Sequence, residues 1–192
     1  MLRRLYDWTM GMASHKRAMP AMAAVSFADS SFFPIPPDIM MVPLILAWRE
    51  RAWTIAFVAT VASVLGAVLG YGIGYLFVEE FGYPLLELYG YLDKFTEFQD
   101  GFREWGWWIV LGAGFTPFPF KVITIAAGVA SLDFTVFIAA SLIGRGLRFY
   151  LEAALLWRFG PPIRGFVEKN LGLVAGASFI ALLAAFLVLK AV

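Results

Sequence analysis

Six charged residues lie inside stretches of sequence that are otherwise apolar, and their types and spacing could support chemistry. They are Asp29, Asp38, Lys121, Arg145, Arg148 and Glu152. A charge at the centre of a membrane-spanning helix costs on the order of 3 kcal/mol on insertion scales. Six such residues therefore indicate internal salt bridges, a water-filled cavity or a charged ligand.

The cations among these residues suit a phosphate group. Arg145, Arg148 and Glu152 are spaced i, i+3 and i+7, which places them on one face of a helix. Lys121 adds a third cation if its segment reaches the same place. Guanidinium groups bind phosphate through two hydrogen bonds, and ammonium groups bind it as point charges. We predict that these three cations and Thr116 bind a phosphate or phosphodiester; the alternative is a structural i, i+4 salt bridge between Arg148 and Glu152.

The carboxylates suit proton transfer. Asp29 precedes the proline-rich run 34–37 and Asp38 directly follows it. Burial away from water favours the protonated form of a carboxyl group, so these two residues and Glu152 are predicted to take up and release protons. The alternative for Asp38 is structural, because a carboxylate at this position could cap the following helix by accepting backbone N–H bonds.

The composition specifies the environment of these residues. The 192 residues are 61% apolar, 17% aromatic and 15% charged, and the mean hydropathy is +0.77. These values predict an integral membrane protein and exclude a soluble enzyme. Fifteen basic and fourteen acidic residues nearly cancel, which argues against a nucleic-acid partner. With no cysteine and one histidine, we expect neither a metal site nor a cofactor.

Two long apolar stretches are interrupted by prolines, and each half is shorter than the roughly 20 residues that cross a bilayer. Re-entrant hairpins are therefore predicted at 19–48 and 107–132. Uninterrupted membrane-spanning helices are predicted at 53–78, 134–157 and 171–190. Helices lying on the membrane surface are predicted at 1–18 and, with an acidic character, at 79–106. All of these segments belong to one membrane domain, 1–192.

The two broken stretches are related by an internal repeat, because a constant shift places Pro34 and Pro36 over Pro117 and Pro119. With the N-terminus in the cytoplasm, most basic residues outside the apolar segments fall on the cytoplasmic side, as the positive-inside rule requires. The expected location is the inner membrane. The predicted fold is an all-α membrane protein of two inverted repeats, each a re-entrant hairpin followed by a transmembrane helix.

Three motifs carry a family resemblance. They are the run 29–38 (DSSFFPIPPD), Gly66-x3-Gly70-x-Gly72-x-Gly74-Tyr75, and Phe115-x5-Lys121-x6-Gly128. Together they resemble the DedA family, also called the SNARE-associated or VTT-domain family, and are nearest its YqaA-like branch. The resemblance covers about residues 20–160 of the chain. It implies two oppositely entering hairpins and flipping of lipids, including undecaprenyl phosphate and glycerophospholipids, with coupling to the proton motive force.

The resemblance also assigns residues. The two acidic positions of the family, one before and one after the proline-containing turn, correspond to Asp29 and Asp38. Its second hairpin usually has two arginines six residues apart; the later one corresponds to Lys121, and the earlier one is replaced by Phe115. Arg145 or Arg148 is the candidate for the missing charge.

Three functions remain open on these grounds. The first is a translocase whose partners are membrane lipids with a phosphate head group and protons. The second is a transporter of small ions or protons without a lipid substrate, and the third is a structural membrane protein that binds partners through its acidic helix. Enzyme activity is not expected, and a homo-oligomer is left open.

Overall fold

The structure is a computed structural model, and it describes residues 17–31, 36–116 and 118–169. Every regular element in these residues is helical. The α-helices are α1 (Ala18–Ser31), α2 (Asp38–Ala47), α3 (Ala52–Phe77), α4 (Tyr83–Tyr89), α5 (Leu92–Phe115), α6 (Phe120–Val129) and α7 (Phe134–Lys169). A 3-10 turn, Arg49–Arg51, precedes α3, and a π-helical turn, Val78–Gly82, follows it.

The predicted breaks in the two apolar stretches are both present. The first stretch forms α1, of 14 residues, and α2, of 10 residues. The second stretch is divided where α5 ends at Phe115, and Pro119, in extended conformation, precedes α6. Proline lacks a backbone N–H and restricts the residue before it, so a helix does not continue through these positions. The depth at which the short helices lie in a membrane stays a prediction.

Among the described residues, two helical segments are long and apolar enough to cross a membrane. They are Arg49–Gly82, of 34 residues, and Phe134–Gly160, of 27 residues. These segments contain the predicted spans 53–78 and 134–157, although α7 continues as a helix to Lys169. The predicted span 171–190 lies outside the described residues. The predicted surface helix 1–18 also lies outside them, except for its last two residues.

The prediction of one helix over the acidic stretch 79–106 is corrected by the structure. Helix α4 ends at Gly90, whose backbone is left-handed with φ of 69°, a conformation that glycine adopts without a steric clash. Helix α5 then begins at Leu92 and runs without a break into the second apolar stretch. The boundary near residue 107 was predicted from a change from polar to apolar side chains. Such a change alters the surroundings of a helix, but it does not interrupt the helical backbone.

Helix α3 is the centre of the bundle, and its glycine face contacts neighbouring backbones directly. A Cβ atom at Gly66 would overlap the carbonyl oxygen of Phe27 in α1, and one at Gly74 would overlap that of Ile125 in α6. The spacing of these glycines predicted close helix packing, and the structure confirms it. Helices α1 and α6 are therefore held against α3 without intervening side chains.

A buried polar layer separates two apolar clusters inside the bundle. Along α3, Ala59 belongs to the first cluster and Ala67 to the second, and buried Ser63 lies between them. Along α7, buried Arg145 lies in the same way between Ala140 and Phe149. The outer faces of both helices carry exposed large apolar side chains, including Phe57, Leu65, Leu76, Leu147 and Leu155. A polar interior beneath an apolar exterior is the arrangement expected in lipid.

The glycine contacts can be tested by comparing Gly66→Ala with Gly72→Ala. At Gly66 the new methyl group must displace a backbone carbonyl, so we expect a loss of about 1–3 kcal/mol of stability, as for an overpacked core. At Gly72 no atom lies within 4 Å of the added carbon, so that variant is expected to match the wild type. Thermal unfolding of the purified proteins in one detergent measures both, and equal midpoints for the two variants would contradict the packing described.

Candidate functional site

The buried polar layer is organised by Arg145, whose side chain is 3% exposed. Its Nη2 atom lies 2.7 Å from Oδ2 of Asp29 and 3.1 Å from Oγ of Ser30, both in α1. Its Nε atom donates to Oγ of Ser63 in α3 over 2.7 Å. One guanidinium group of α7 thus binds α1 and the central helix α3.

Aromatic rings enclose the same guanidinium group. Its central carbon lies 4.7 Å from the ring centroid of Phe120, at the start of α6, and 5.1 Å from that of Phe149 in α7. A cation near the face of an aromatic ring is attracted by the ring quadrupole, and more strongly when water is excluded. Arg145 of α7 therefore contacts α1, α3 and the start of α6.

Hydroxyl groups extend the polar layer between the two hairpins. The hydroxyl oxygens of Ser30 and Ser63 lie 2.5 Å apart. Thr124 in α6 donates to the carbonyl oxygen of Ser30 over 3.1 Å. Because Nε and Nη2 of Arg145 and the hydroxyl groups of Ser30, Ser63 and Thr124 have partners, this part of the layer is a hydrogen-bonded network that holds α1 and α6 against α3 and α7.

A second ion pair lies one helical turn further along α7 and is more open. The Nη2 atom of Arg148 lies 2.8 Å from Oδ2 of Asp38, and the two side chains are 22% and 30% exposed. The Nη1 atom of Arg148 donates to the carbonyl oxygen of Thr116 over 3.3 Å. Asp38 begins α2 after the first break, and Thr116 lies at the second break. Arg148 therefore contacts the chain at both breaks.

Both structural alternatives considered for this region are corrected. Arg148 pairs with Asp38, and the described residues contain no salt bridge between Arg148 and Glu152. Asp38 does not cap α2, because one of its carboxylate oxygens binds Arg148 and the other has no hydrogen bond among the described residues. In both cases a contact between distant parts of the sequence replaces the local contact that spacing suggested.

Glu152 lies beside the second ion pair, where its carboxyl group interacts with Asp38 and Arg148. Three polar atoms here are buried and have no hydrogen-bond partner among the described residues: Oε1 of Glu152, Oδ1 of Asp38 and Nε of Arg148. Buried polar atoms of this kind are rare in proteins and call for an explanation, such as a ligand or a proton.

The side chain of Lys121 makes no contact with either of the two ion pairs among the described residues. The residue is partly exposed, and its ammonium group has no ion pair with a residue that the structure describes. Its carbonyl oxygen accepts a hydrogen bond from Thr124 over 2.9 Å, and the adjacent Phe120 contacts Arg145. The backbone at Lys121 is therefore next to the polar layer. Thr116 contributes its carbonyl group to Arg148.

Sequence reasoning singled out neither the hydroxyl residues of the layer nor Phe120. The sequence contained a signal, because Ser30, Ser63 and Thr124 are hydroxyl residues within apolar segments. The structure shows that all three side chains are fully buried. The described residues contain no group of three or more side chains suited to hold a metal ion.

The two ion pairs can be compared through the variants Asp29→Asn and Asp38→Asn. Removing one partner of a buried ion pair costs about 3–5 kcal/mol because the other charge remains buried. We expect a loss of this order for Asp29→Asn, which leaves Arg145 without its counterion, and a smaller loss for Asp38→Asn, because Arg148 is more exposed. Thermal unfolding of both variants in one detergent ranks their losses of stability. A greater loss for Asp38→Asn than for Asp29→Asn would refute the expected order.

Comparison with known proteins gives a family and several relatives. The VTT domain family matches residues 35–158. An uncharacterized protein of Haemophilus influenzae is 32% identical over 186 residues, which cover 97% of this chain and 96% of that protein. A relative from Histophilus somni, described as a homologue of an uncharacterized protein, is 36% identical over 97% of each chain.

One relative has a functional name. Undecaprenyl phosphate transporter A of Staphylococcus aureus is 31% identical over 112 residues, which cover 56% of this chain and 51% of that protein. No solved structure matches the chain. The family match extends over more than half of the sequence and includes Asp38, the second break and both ion-paired arginines. On this match, and on two helices able to cross a bilayer, the chain is a membrane protein of the VTT domain, or DedA, family.

Proposed function

We propose that this protein translocates phosphate-bearing lipids across the membrane, with undecaprenyl phosphate or a glycerophospholipid as the substrate. The observation that carries the proposal is the partly exposed Arg148–Asp38 ion pair between the two helix breaks. The side chain of Arg148 is partly exposed, its Nε atom has no hydrogen-bond partner among the described residues, and its Nη2 atom binds Asp38. Nε and Nη2 are the two parallel donors that a phosphate accepts once Asp38 is displaced. The named Staphylococcus aureus relative supports the same class of substrate.

The residues of the site divide into two roles. Arg148 binds the phosphate oxygens in exchange for Asp38, and Lys121 supplies a second positive charge from the second hairpin. Arg145 and Asp29 hold the hairpins in place, because their hydrogen bonds are internal and Arg145 is inaccessible. The apolar tails of the lipid remain outside, along the exposed apolar faces of α3 and α7.

Arg148 also accounts for the charge that the family usually carries at the position of Phe115. Its Nη1 atom reaches the carbonyl oxygen of the next residue, Thr116. A guanidinium group from α7 therefore lies beside the second break, next to the position of Phe115. This contact favours Arg148 over Arg145 as the replacement.

The proposal is tested with the purified full-length protein in vesicles that contain fluorescent phosphatidylglycerol or a fluorescent polyprenyl phosphate. We expect the wild type to exchange both lipids between leaflets, measured by chemical quenching of the outer leaflet. Arg148→Gln should lower the rate by about tenfold or more, since hydrogen bonds to charged groups contribute about 1.5–3 kcal/mol. Arg148→Lys should retain part of the rate, because an ammonium group binds phosphate without the two parallel donors.

Arg103→Gln is the matched control, because Arg103 is exposed and pairs only weakly with Asp100, at 4.0 Å. Its exchange rate should equal that of the wild type. Wild-type exchange no faster than in protein-free vesicles would refute a lipid substrate. Proton or ion flux without lipid exchange would identify a small-ion transporter instead. Equal rates for Arg148→Gln and the wild type would remove Arg148 from the site.

A further inference from the structure

Helix α7 continues as a helix through two consecutive prolines, Pro161 and Pro162. In an α-helix the N–H of each residue donates to the carbonyl oxygen four residues earlier. Proline has no N–H, so the carbonyl groups of Trp157 and Arg158 lose the donors that positions 161 and 162 normally supply. Membrane-spanning helices tolerate prolines because neighbouring groups bind the carbonyl oxygens that are left over.

Arg49, in the turn that follows α2, supplies a donor to each of these two carbonyl groups. Its Nε atom donates to the carbonyl oxygen of Trp157, and its Nη2 atom donates to that of Arg158 over 3.4 Å. A guanidinium group carries its N–H donors in a fixed planar fork, so one side chain can serve two acceptors at once. Arg49 therefore replaces the two backbone donors that α7 lacks.

Helix α2 is thereby attached to α7 at both of its ends. At its first residue, Asp38 binds Nη2 of Arg148 over 2.8 Å, and just beyond its last residue Arg49 binds the carbonyl groups. Between the two attachments, buried side chains of both helices share one apolar cluster. They are Met41, Leu44 and Ile45 of α2 and Phe149, Ala153 and Leu156 of α7.

The contacts advance in the same direction along both helices. Near the end of α2, Cδ2 of Leu46 lies 3.2 Å from the place that a Cβ atom would take at Gly160. The apolar contacts between the helices are non-directional and do not by themselves fix one alignment. The two arginine contacts are directional, and together they determine where α2 lies along α7.

Arg51 shows that positive charge in this turn does not by itself attach α2 to α7. Its guanidinium carbon lies 5.6 Å from the ring centroid of Trp48, and it has no hydrogen bond to α7 among the described residues. Both Arg49 and Arg51 are exposed, and neither has an ion pair with a carboxylate that the structure describes. The contact of Arg49 with α7 is therefore specific to its position.

We propose that Arg49 is a positioning residue of the candidate site. By binding the two carbonyl groups that lack helical donors, it fixes α2 along α7 and holds Asp38 at Arg148. Without Arg49, α2 can shift along α7, and Asp38 then protects Arg148 less. The effect on Arg148 is independent of the proposed function, whereas an effect on lipid exchange rests on it.

The carbonyl contacts are tested with Arg49→Met in two backgrounds, the wild type and the double variant Pro161→Ala, Pro162→Ala. Methionine is unbranched and has no N–H donor, so we expect a lower midpoint of thermal unfolding in the wild-type background. In the alanine background, backbone N–H groups bind the same carbonyl groups and alanine favours the helix, so the midpoint should fall much less. Such a cycle isolates the interaction between the two positions. Equal falls in both backgrounds would overturn the proposal.

The position of Asp38 is tested by modifying arginines with phenylglyoxal in the full-length protein in lipid. Peptide mass spectrometry measures the rate at Arg148, with the exposed Arg103 as a reference in the same sample. We expect a slow rate in the wild type and a fast rate in Asp38→Asn, which removes the counterion. Arg49→Met should raise the rate at Arg148 several-fold, and Arg51→Met should match the wild type.

A purely structural role for Arg49 would lower stability without exposing Arg148. An unchanged rate at Arg148 in Arg49→Met would therefore overturn the proposal. Circular dichroism verifies that each variant is folded at the temperature of the reaction. Arg49→Lys keeps a donor but not the planar fork, so its rate should be intermediate, and it provides the same test if Arg49→Met does not fold.

Lipid exchange in the vesicles separates this proposal from the translocase function. In Arg49→Met, Asp38 competes less with phosphate for Arg148, so half-maximal exchange should occur at a lower mole fraction of anionic lipid. The same lipid dependence in this variant and in an active wild type would overturn the effect on exchange and leave the translocase function intact. Faster modification of Arg148 in Arg49→Met, together with no exchange by the wild type, would refute the translocase function and retain the positioning role.

Discussion

The buried guanidinium group of Arg145 is the interaction on which the rest of the structure depends. It binds Asp29 and Ser30 of the first hairpin, Ser63 of the central helix and the ring of Phe120 at the start of α6. Burying an ion pair is costly, and the attraction offsets that cost only when the remaining hydrogen-bonding groups are also satisfied. The hydroxyl groups of Ser30 and Ser63 contribute to meeting this condition, because they accept hydrogen bonds from Nη2 and Nε of Arg145. The fold thereby gains a fixed point between its two apolar clusters.

Two arginines three residues apart on α7 differ because of the elements that face them. Arg145 faces the packed contacts of α1 and α3 and is inaccessible, whereas Arg148 faces the two helix breaks and is partly open. A helix break leaves backbone carbonyl groups without helical partners, and Thr116 uses one of them for Arg148. The same type of side chain is therefore buried within the helix packing at one position and partly exposed at the other.

The sequence predicts the elements of this structure better than the partners of its charged groups. The prolines predicted both breaks, the glycine spacing predicted the close packing of α3, and the i, i+3, i+7 spacing predicted the charged face of α7. Each of these features depends on local backbone geometry. The pairing of Arg148 with Asp38 joins residues far apart in the sequence. Local spacing favoured Glu152 and a helix cap instead, and no local rule reveals which helices meet. The hydroxyl residues of the layer were missed for the same reason.

The direct backbone contacts of α3 determine which parts of the molecule can move separately. At Gly66 and Gly74 the carbonyl groups of α1 and α6 rest on the helix surface, with no flexible side chain to absorb a displacement. Helices α1, α3 and α6, which carry Asp29 and the ring of Phe120, are therefore joined by direct backbone contacts. Asp38 belongs to α2, on the other side of the first break. The Arg148–Asp38 ion pair can therefore be broken without disturbing the backbone contacts at Gly66 and Gly74.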